Sequence, residues 1–156
     1  MATGLPVVTE YPYDERYTST GIYALTDGIT GTLSYLNGEW QGYWGVDFVG
    51  TIDLLTEKEV SKVSAGFINS VSSGIFLPKG IEVFTSQDNK HFTSVAIFKN
   101  DIPVLDEGEF TKTFTVNFSK TKARFIRIIA KTIGRCPQGH KYEGAEAFIF
   151  IDEIIV

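Results

Sequence analysis

The chain has 156 residues, 43% apolar and 21% charged, with 14 Lys and Arg against 19 Asp and Glu and a net charge of −5. That length is about one domain and is enough to bury a sizeable core without covalent staples. The composition excludes a disordered or collagen-like chain, the acidic balance argues against nucleic acid, no apolar run approaches the roughly 20 residues of a membrane helix, and the single cysteine, Cys136, excludes internal disulfides and multi-cysteine metal sites.

In chain order, residues 1–20, rich in Tyr, Pro, Thr and Ser, read as an extended leading segment, and 21–156 read as one domain. Met1 to Gly4 carry neither the basic start nor the apolar run of a signal peptide. The expectation is a cytosolic chain, or a module cut from a longer secreted protein. Residues 45–54 (GVDFVGTIDL) place Val46, Phe48, Ile52 and Leu54 on one parity, the pattern of a half-buried strand. Residues 56–67 fit a twisted strand as well as a helix. The segments 80–86 and 91–98 flank Gln87-Asp88-Asn89-Lys90, a hairpin turn. Residues 110–118 alternate cleanly, with Phe110, Phe114, Val116 and Phe118 against Thr111, Thr113 and Thr115. Residues 123–131 and 147–156 complete about eight strands, separated by loops at about 36–45, 69–80, 99–109 and 132–146. The expected fold class is all-β, an antiparallel β-sandwich.

Five strings in order carry more than this generic pattern: ALTDGITGT (24–32), NGEWQGYWG (37–45), FLPKGIEVFTSQDNKHF (76–92), ARFIRIIAK (123–131) and AFIFIDEIIV (147–156). Together they resemble the discoidin, or coagulation factor 5/8 type C, domain, which overlaps carbohydrate-binding module family 32. More narrowly, they resemble the C-terminal module of chitobiase-like and β-hexosaminidase-like family 20 glycosidases. The resemblance implies an eight-stranded antiparallel jelly-roll β-sandwich of the galactose-binding-domain-like type. It also implies a non-catalytic accessory module, part of a secreted, periplasmic or cell-surface glycosidase. Its partners would be a glycan and the parent's catalytic domain.

The resemblance further implies a structural calcium ion. Asp27 and Thr32 match the family's loop ligands and Glu153 its strand ligand, with backbone oxygens from about Ala24, Ile29 and Asp152. Ile29 departs from the family, since it offers only a carbonyl. The alternative is an Asx-type turn at 26–28 with Glu153 solvated.

A sugar site needs an aromatic platform and a few aimed polar groups, which in this family sit on loops at one end of the sandwich. Three loops carry that inventory: 35–44, 69–76 and 135–143. The candidate ligand residues are Tyr35, Trp40, Asn69, Phe76, Arg135, His140 and Tyr142. Trp40, between Gly38 and Gly42, is expected to be exposed, and Trp44, directly before a strand, to be core. The Arg and Asn that galactose-binding relatives carry before the mid-chain strand have no counterpart in NSVSSGIFLPKG (69–80) beyond Asn69. The specificity is then for another sugar, such as an N-acetylhexosamine, or there is no glycan site.

Other signals carry less. Asp152 and Glu153 are adjacent strand residues and point to opposite faces, so they do not make a glycosidase pair. Cys136 and His140 fall short of a zinc site. Lys120, Lys122, Arg124 and Arg127 read as a solvated face. Ile75-Phe76-Leu77 could form an apolar membrane spike, which the net charge disfavours. The readings that compete with a glycan binder are a module that braces its parent glycosidase without sugar, and an adhesion or protein-interaction module.

Overall fold

A computed structural model describes residues 1–156. It has seven strands: β1 (Val7–Thr9), β2 (Gln41–Trp44), β3 (Phe48–Asn69), β4 (Gly80–Ser86), β5 (Thr93–Lys99), β6 (Phe110–Ala130) and β7 (Phe148–Ile155). The helical pieces are short 3-10 turns at Gly21–Thr26 and Val71–Ser73. Every strand pairing is antiparallel.

Two long strands, β3 and β6, organise the sandwich. The start of β3 (48–53) pairs with the end of β6 (125–130), and the rest of β3 with the start of β6, across register shifts between Asp53 and Lys58 and between Val60 and Lys62. Each long strand therefore serves two layers. One layer holds β1, the first part of β3, the last part of β6, β4 and β5. The other holds β2, β7, the last part of β3 and the first part of β6. The main core lies between them and includes Ile52, Val63, Phe67, Phe114, Ile126 and Ile151. The alternation expected at 110–118 is present, with Phe114 and Val116 buried. The 56–67 segment is strand, not helix, and β4 and β5 form the expected hairpin, with Asn89 at φ 58 in its turn.

Two strands lie where none was expected. β2 occupies the end of the predicted 36–45 loop, and β1 lies in the leading segment and pairs with β3. The leading segment is packed into the fold, with Ala2 and Val7 in the core. It also runs along the β2 edge, where the Asp14 N–H donates to the Gly42 carbonyl (2.8 Å) and the Gly42 N–H to the Tyr17 carbonyl (3.0 Å).

That segment covers a second, smaller core. Tyr43, Ile149 and Ile151 face the main core, so Phe148 and Phe150, which alternate with the last two in β7, lie on the opposite face of the β2–β7 layer, together with Trp40 just before β2. There Trp40, Ile68, Ile75 and Phe150 are buried beneath Tyr17 and Tyr35. Glycines admit these rings: a side chain at Gly31 would collide with the Trp40 indole, and one at Gly42 with Phe150. The expectation of an exposed Trp40 is therefore reversed: it is 1% exposed, and Gly31 and Gly42 make room for packing.

Candidate functional site

Three loops meet at one end of the sandwich. Residues 70–75 form a tight turn, with reciprocal backbone bonds between Ser70 and Ile75 (3.0 and 3.1 Å) and Gly74 in the left-handed region at φ 76. Residues 135–146 form a hairpin-like loop, in which the Cys136 N–H donates to the Ala145 carbonyl (2.8 Å) and the Gly144 N–H to that of Cys136 (3.0 Å). The third loop, 105–109, is held by the buried Asn69 amide, which donates to the Asp106 (2.9 Å) and Gly108 (2.8 Å) carbonyls. Between these loops lies a cleft of about 330 Å³, lined by Val71, Ser72, Leu105, Glu107, His140 and Lys141. This is within the size range of small-molecule sites.

His140 joins two of the loops. Its Nε2 bonds the Val71 carbonyl at 2.6 Å, and its Nδ1 accepts the Tyr142 N–H at 3.1 Å. A carbonyl can only accept and an N–H can only donate, so the imidazole is the neutral Nε2–H tautomer with both nitrogens used inside the protein. Its ring packs edge-on against Phe76 and tilted against Tyr142. His140 thus walls the cleft and braces it, and free polar groups come from Ser72, Glu107 and Lys141.

The other expected ligand residues are dispersed. Asn69 and Phe76 are buried and border a separate pocket of only about 90 Å³, so neither reaches the cleft. Tyr35 is half-buried and donates its hydroxyl to Ser73 (3.2 Å). Together with Trp40 it borders another small pocket of about 140 Å³. Arg135 clamps its own loop through the Gly144 carbonyl (2.9 Å) and the Glu146 carboxylate (2.9 Å). Tyr142 is exposed beside the cleft, with the Lys141 ammonium 4.7 Å from its ring centre. The apolar spike is absent, because Ile75, Phe76 and Leu77 are all buried. The basic cluster is largely paired: Lys120 with Glu59, Lys122 with Glu57 and Arg124 with Asp53.

The residues expected to bind calcium are engaged as follows within the protein. Asp27 accepts the Ile29 N–H (2.8 Å) and the Thr20 hydroxyl (3.2 Å), closing an Asx-type turn. Glu153 accepts the Gly28 N–H (3.2 Å), and Asp152, buried, accepts the Gly31 N–H (2.7 Å). Thr32 is engaged elsewhere: its hydroxyl accepts the Asn37 amide (2.7 Å) and its carbonyl the Trp40 indole N–H (3.0 Å). Ala24 is buried within the 3-10 turn and Ile29 is exposed. In this arrangement the loop meets the Glu153 and Asp152 carboxylates with the Gly28 and Gly31 N–H groups. Burial pushes both the Asp152 and Glu153 carboxyls above their ordinary values, and for Glu153 the nearby Asp27 adds to the effect.

The same architecture occurs in solved structures. A CBM32 module of Clostridium perfringens, solved in complex with GalNAc-β-1,3-galactose, superposes with a TM-score of 0.58 at 14% identity, covering 97% of this chain and 93% of that one. The CBM32 of AlyQ, in complex with 4,5-unsaturated mannuronic acid, gives 0.57 at 19% identity over 99% and 95%. A pectin-binding module gives 0.61 at 15% identity over 99% and 91%. The fold is that of the CBM32 modules. No protein-family model matches the sequence, and no curated protein does.

On this CBM32 fold, sequence reasoning overlooked Leu105 and Glu107, which lie in the 99–109 segment read only as a loop between strands. It also misplaced Trp44, which is 52% exposed. Trp44 shares the parity of Phe48, but Gly45 at φ 69 interrupts the strand and resets it, so Tyr43 turns inward instead. A glycine between two apparent strand runs was the available signal.

Proposed function

We propose that the protein is a non-catalytic carbohydrate-binding module that takes a sugar in the cleft between loops 70–75, 105–109 and 135–146. The observation that carries this reading is the cleft itself: an apolar wall from Val71 and Leu105, and the polar groups of Ser72, Glu107 and Lys141 aimed from separate loops. The exposed Tyr142 ring beside it supplies an aromatic face. The glycans in the names of the solved CBM32 neighbours support the ligand class. The order of the five sequence strings supports attachment to a secreted, periplasmic or cell-surface glycosidase of the chitobiase or β-hexosaminidase kind. In that reading the module holds glycans near the catalytic domain.

The test is an amide NMR titration with galactose, N-acetylgalactosamine, N-acetylglucosamine and chitobiose. Localised shifts at 71–72, 105–107 and 139–142 are expected with at least one of them. No shift with any sugar at millimolar concentration would sink the reading.

A second reading is favoured by one observation. Ile22, Tyr23, Ile29, Leu33 and Leu36, between the start of the 3-10 turn at Gly21–Thr26 and β2, are all exposed. Apolar surface of this kind suits packing against another domain. This is the bracing-module reading, and a silent sugar titration would leave it in the lead.

A further inference from the structure

Trp44 is held rigid while half open to water. Its indole N–H donates to the Glu146 carbonyl (3.0 Å), and its ring stacks on Phe148 at an interplanar angle of 22°. Phe148 is set edge-on to Tyr17 and Phe150, which belong to the smaller core around Trp40. Trp44 is therefore the solvent end of an aromatic stack rooted in buried rings. An immobile aromatic face costs little further entropy when a ligand covers it.

The ring borders a cleft of about 590 Å³ together with Tyr11, Tyr13, Asp14, Glu15 and Arg16. This cleft lies on the leading segment and the β2 edge and shares no lining residue with the loop-end cleft. Arg16 is ordered by a two-bond pair with Asp14 (2.8 and 2.9 Å) and lies over the Tyr17 and Phe148 rings. The Arg16–Asp14 pair cancels its own charge. Glu15 makes no ion pair, so it leaves the cleft with a net negative charge.

We propose that this cleft is a second glycan site, taking an amino-hexopyranose whose apolar ring face stacks on Trp44 and whose ammonium meets Glu15. A pyranose matches a flat aromatic platform flanked by hydroxyl, carboxylate and guanidinium groups. The unpaired carboxylate selects a cationic sugar over a neutral one and repels a uronate. The proposal rests on the protein being a carbohydrate binder, but on different residues.

Trp40 is buried and the loop-end cleft contains no tryptophan, so quenching of Trp44 fluorescence by acrylamide reports this site alone. The probes are triglucosamine, tri-N-acetylglucosamine and trigalacturonate. Triglucosamine should protect Trp44 and bind best, trigalacturonate worst. W44A, with its fold checked by thermal melt and near-UV dichroism, should weaken triglucosamine binding by at least about tenfold. E15Q should erase the preference for triglucosamine over its acetylated form. Amide shifts at 71–72 and 139–142 follow the loop-end cleft separately, so either site can fail alone. The proposal is overturned by absence of protection with all three sugars, by W44A binding as the parent does, or by trigalacturonate binding best. Protection that rises with protein concentration and needs no sugar would show a second copy on Trp44, and would overturn it too.

Discussion

The Asp152 carboxylate and the Gly31 N–H, 121 positions apart in sequence, meet at 2.7 Å and tie the loop before β2 to the last strand. Both residues are buried, and Gly66 lacks the side chain that would collide with the carboxylate. The same carboxylate accepts the Glu153 N–H. One buried side chain therefore satisfies two backbone donors, and no buried side-chain nitrogen or oxygen in the protein lacks a partner. Asp152→Ala orphans both donors. It is expected to cost about 2–6 kcal/mol, taking each lost acceptor at the ordinary cost of about 1–3 kcal/mol for an unsatisfied buried group. Urea unfolding measures this, and a loss under about 0.5 kcal/mol would contradict the clip.

Because that clip uses N–H groups, calcium should add nothing to it. An ion binding a hundredfold below its concentration would stabilise the fold by about 2.7 kcal/mol, a melting shift of roughly 5–10 °C for a chain of this size. Millimolar calcium and excess chelator are expected to give the same melting temperature. A shift of the stated size that disappears in Asp27→Asn would show that the loop rearranges around an ion.

How much of this was legible varied by element. The period-two alternation of 110–118 reports its two faces directly, so that part of β6 and its buried Phe114 could be read locally. The β4–β5 hairpin was equally local. The 37–45 segment was not, because its meaning depends on distant partners. Gly42 reads as loop punctuation until Phe150 and Tyr17 are placed against it. The site was less legible still. His140 was found by residue type and does border the cleft, but nothing local says that Val71 and Tyr142 consume its nitrogens. Glu107 joins the cleft only because the Asn69 amide, on another strand, holds its loop.

The two tryptophans should separate in mutational cost. Trp40→Ala removes a fully buried indole, its bond to the Thr32 carbonyl and its packing on Gly31. A loss of about 3–5 kcal/mol is expected. Trp44→Ala exposes no core and should cost less than about 1.5 kcal/mol, mostly the stack on Phe148. Parallel denaturant titrations compare them, and equal losses would contradict the assignment of Trp40 to the core and Trp44 to the surface.

His140 should behave as a brace rather than a ligand. Nitrogen-15 NMR of the imidazole is expected to show a single neutral tautomer protonated on Nε2. His140→Ala should speed amide exchange across 139–143 and cost about 1–2 kcal/mol by freeing the Val71 carbonyl. If His140 instead shows averaged tautomers and its removal leaves these amides unchanged, the two loops are not joined through it.

The hairpin tip offers the clearest pH signature. His91 Nδ1 lies 2.7 Å from Asp88 Oδ2, and that hydrogen bond raises the imidazole above the ordinary value of 6.5. The same bond, with the Lys90 and His91 N–H groups, holds the Asp88 carboxyl well below the usual range. The signs follow from linkage. The His91 contribution is fully present below its ordinary value and is lost as pH rises through the raised one. The Asp88 contribution is present above the ordinary carboxylate value and is lost as pH falls through the depressed one. The pair is therefore strongest in mildly acidic solution. Both side chains are largely solvated, so the effect on global stability is small and screened by salt. The proper readout is the His91 ring proton shift. Its midpoint should lie above 6.5 at low ionic strength, move down with added salt, and return to the ordinary value in Asp88→Asn. A midpoint that Asp88→Asn leaves in place would show that the carboxylate is not its partner in solution.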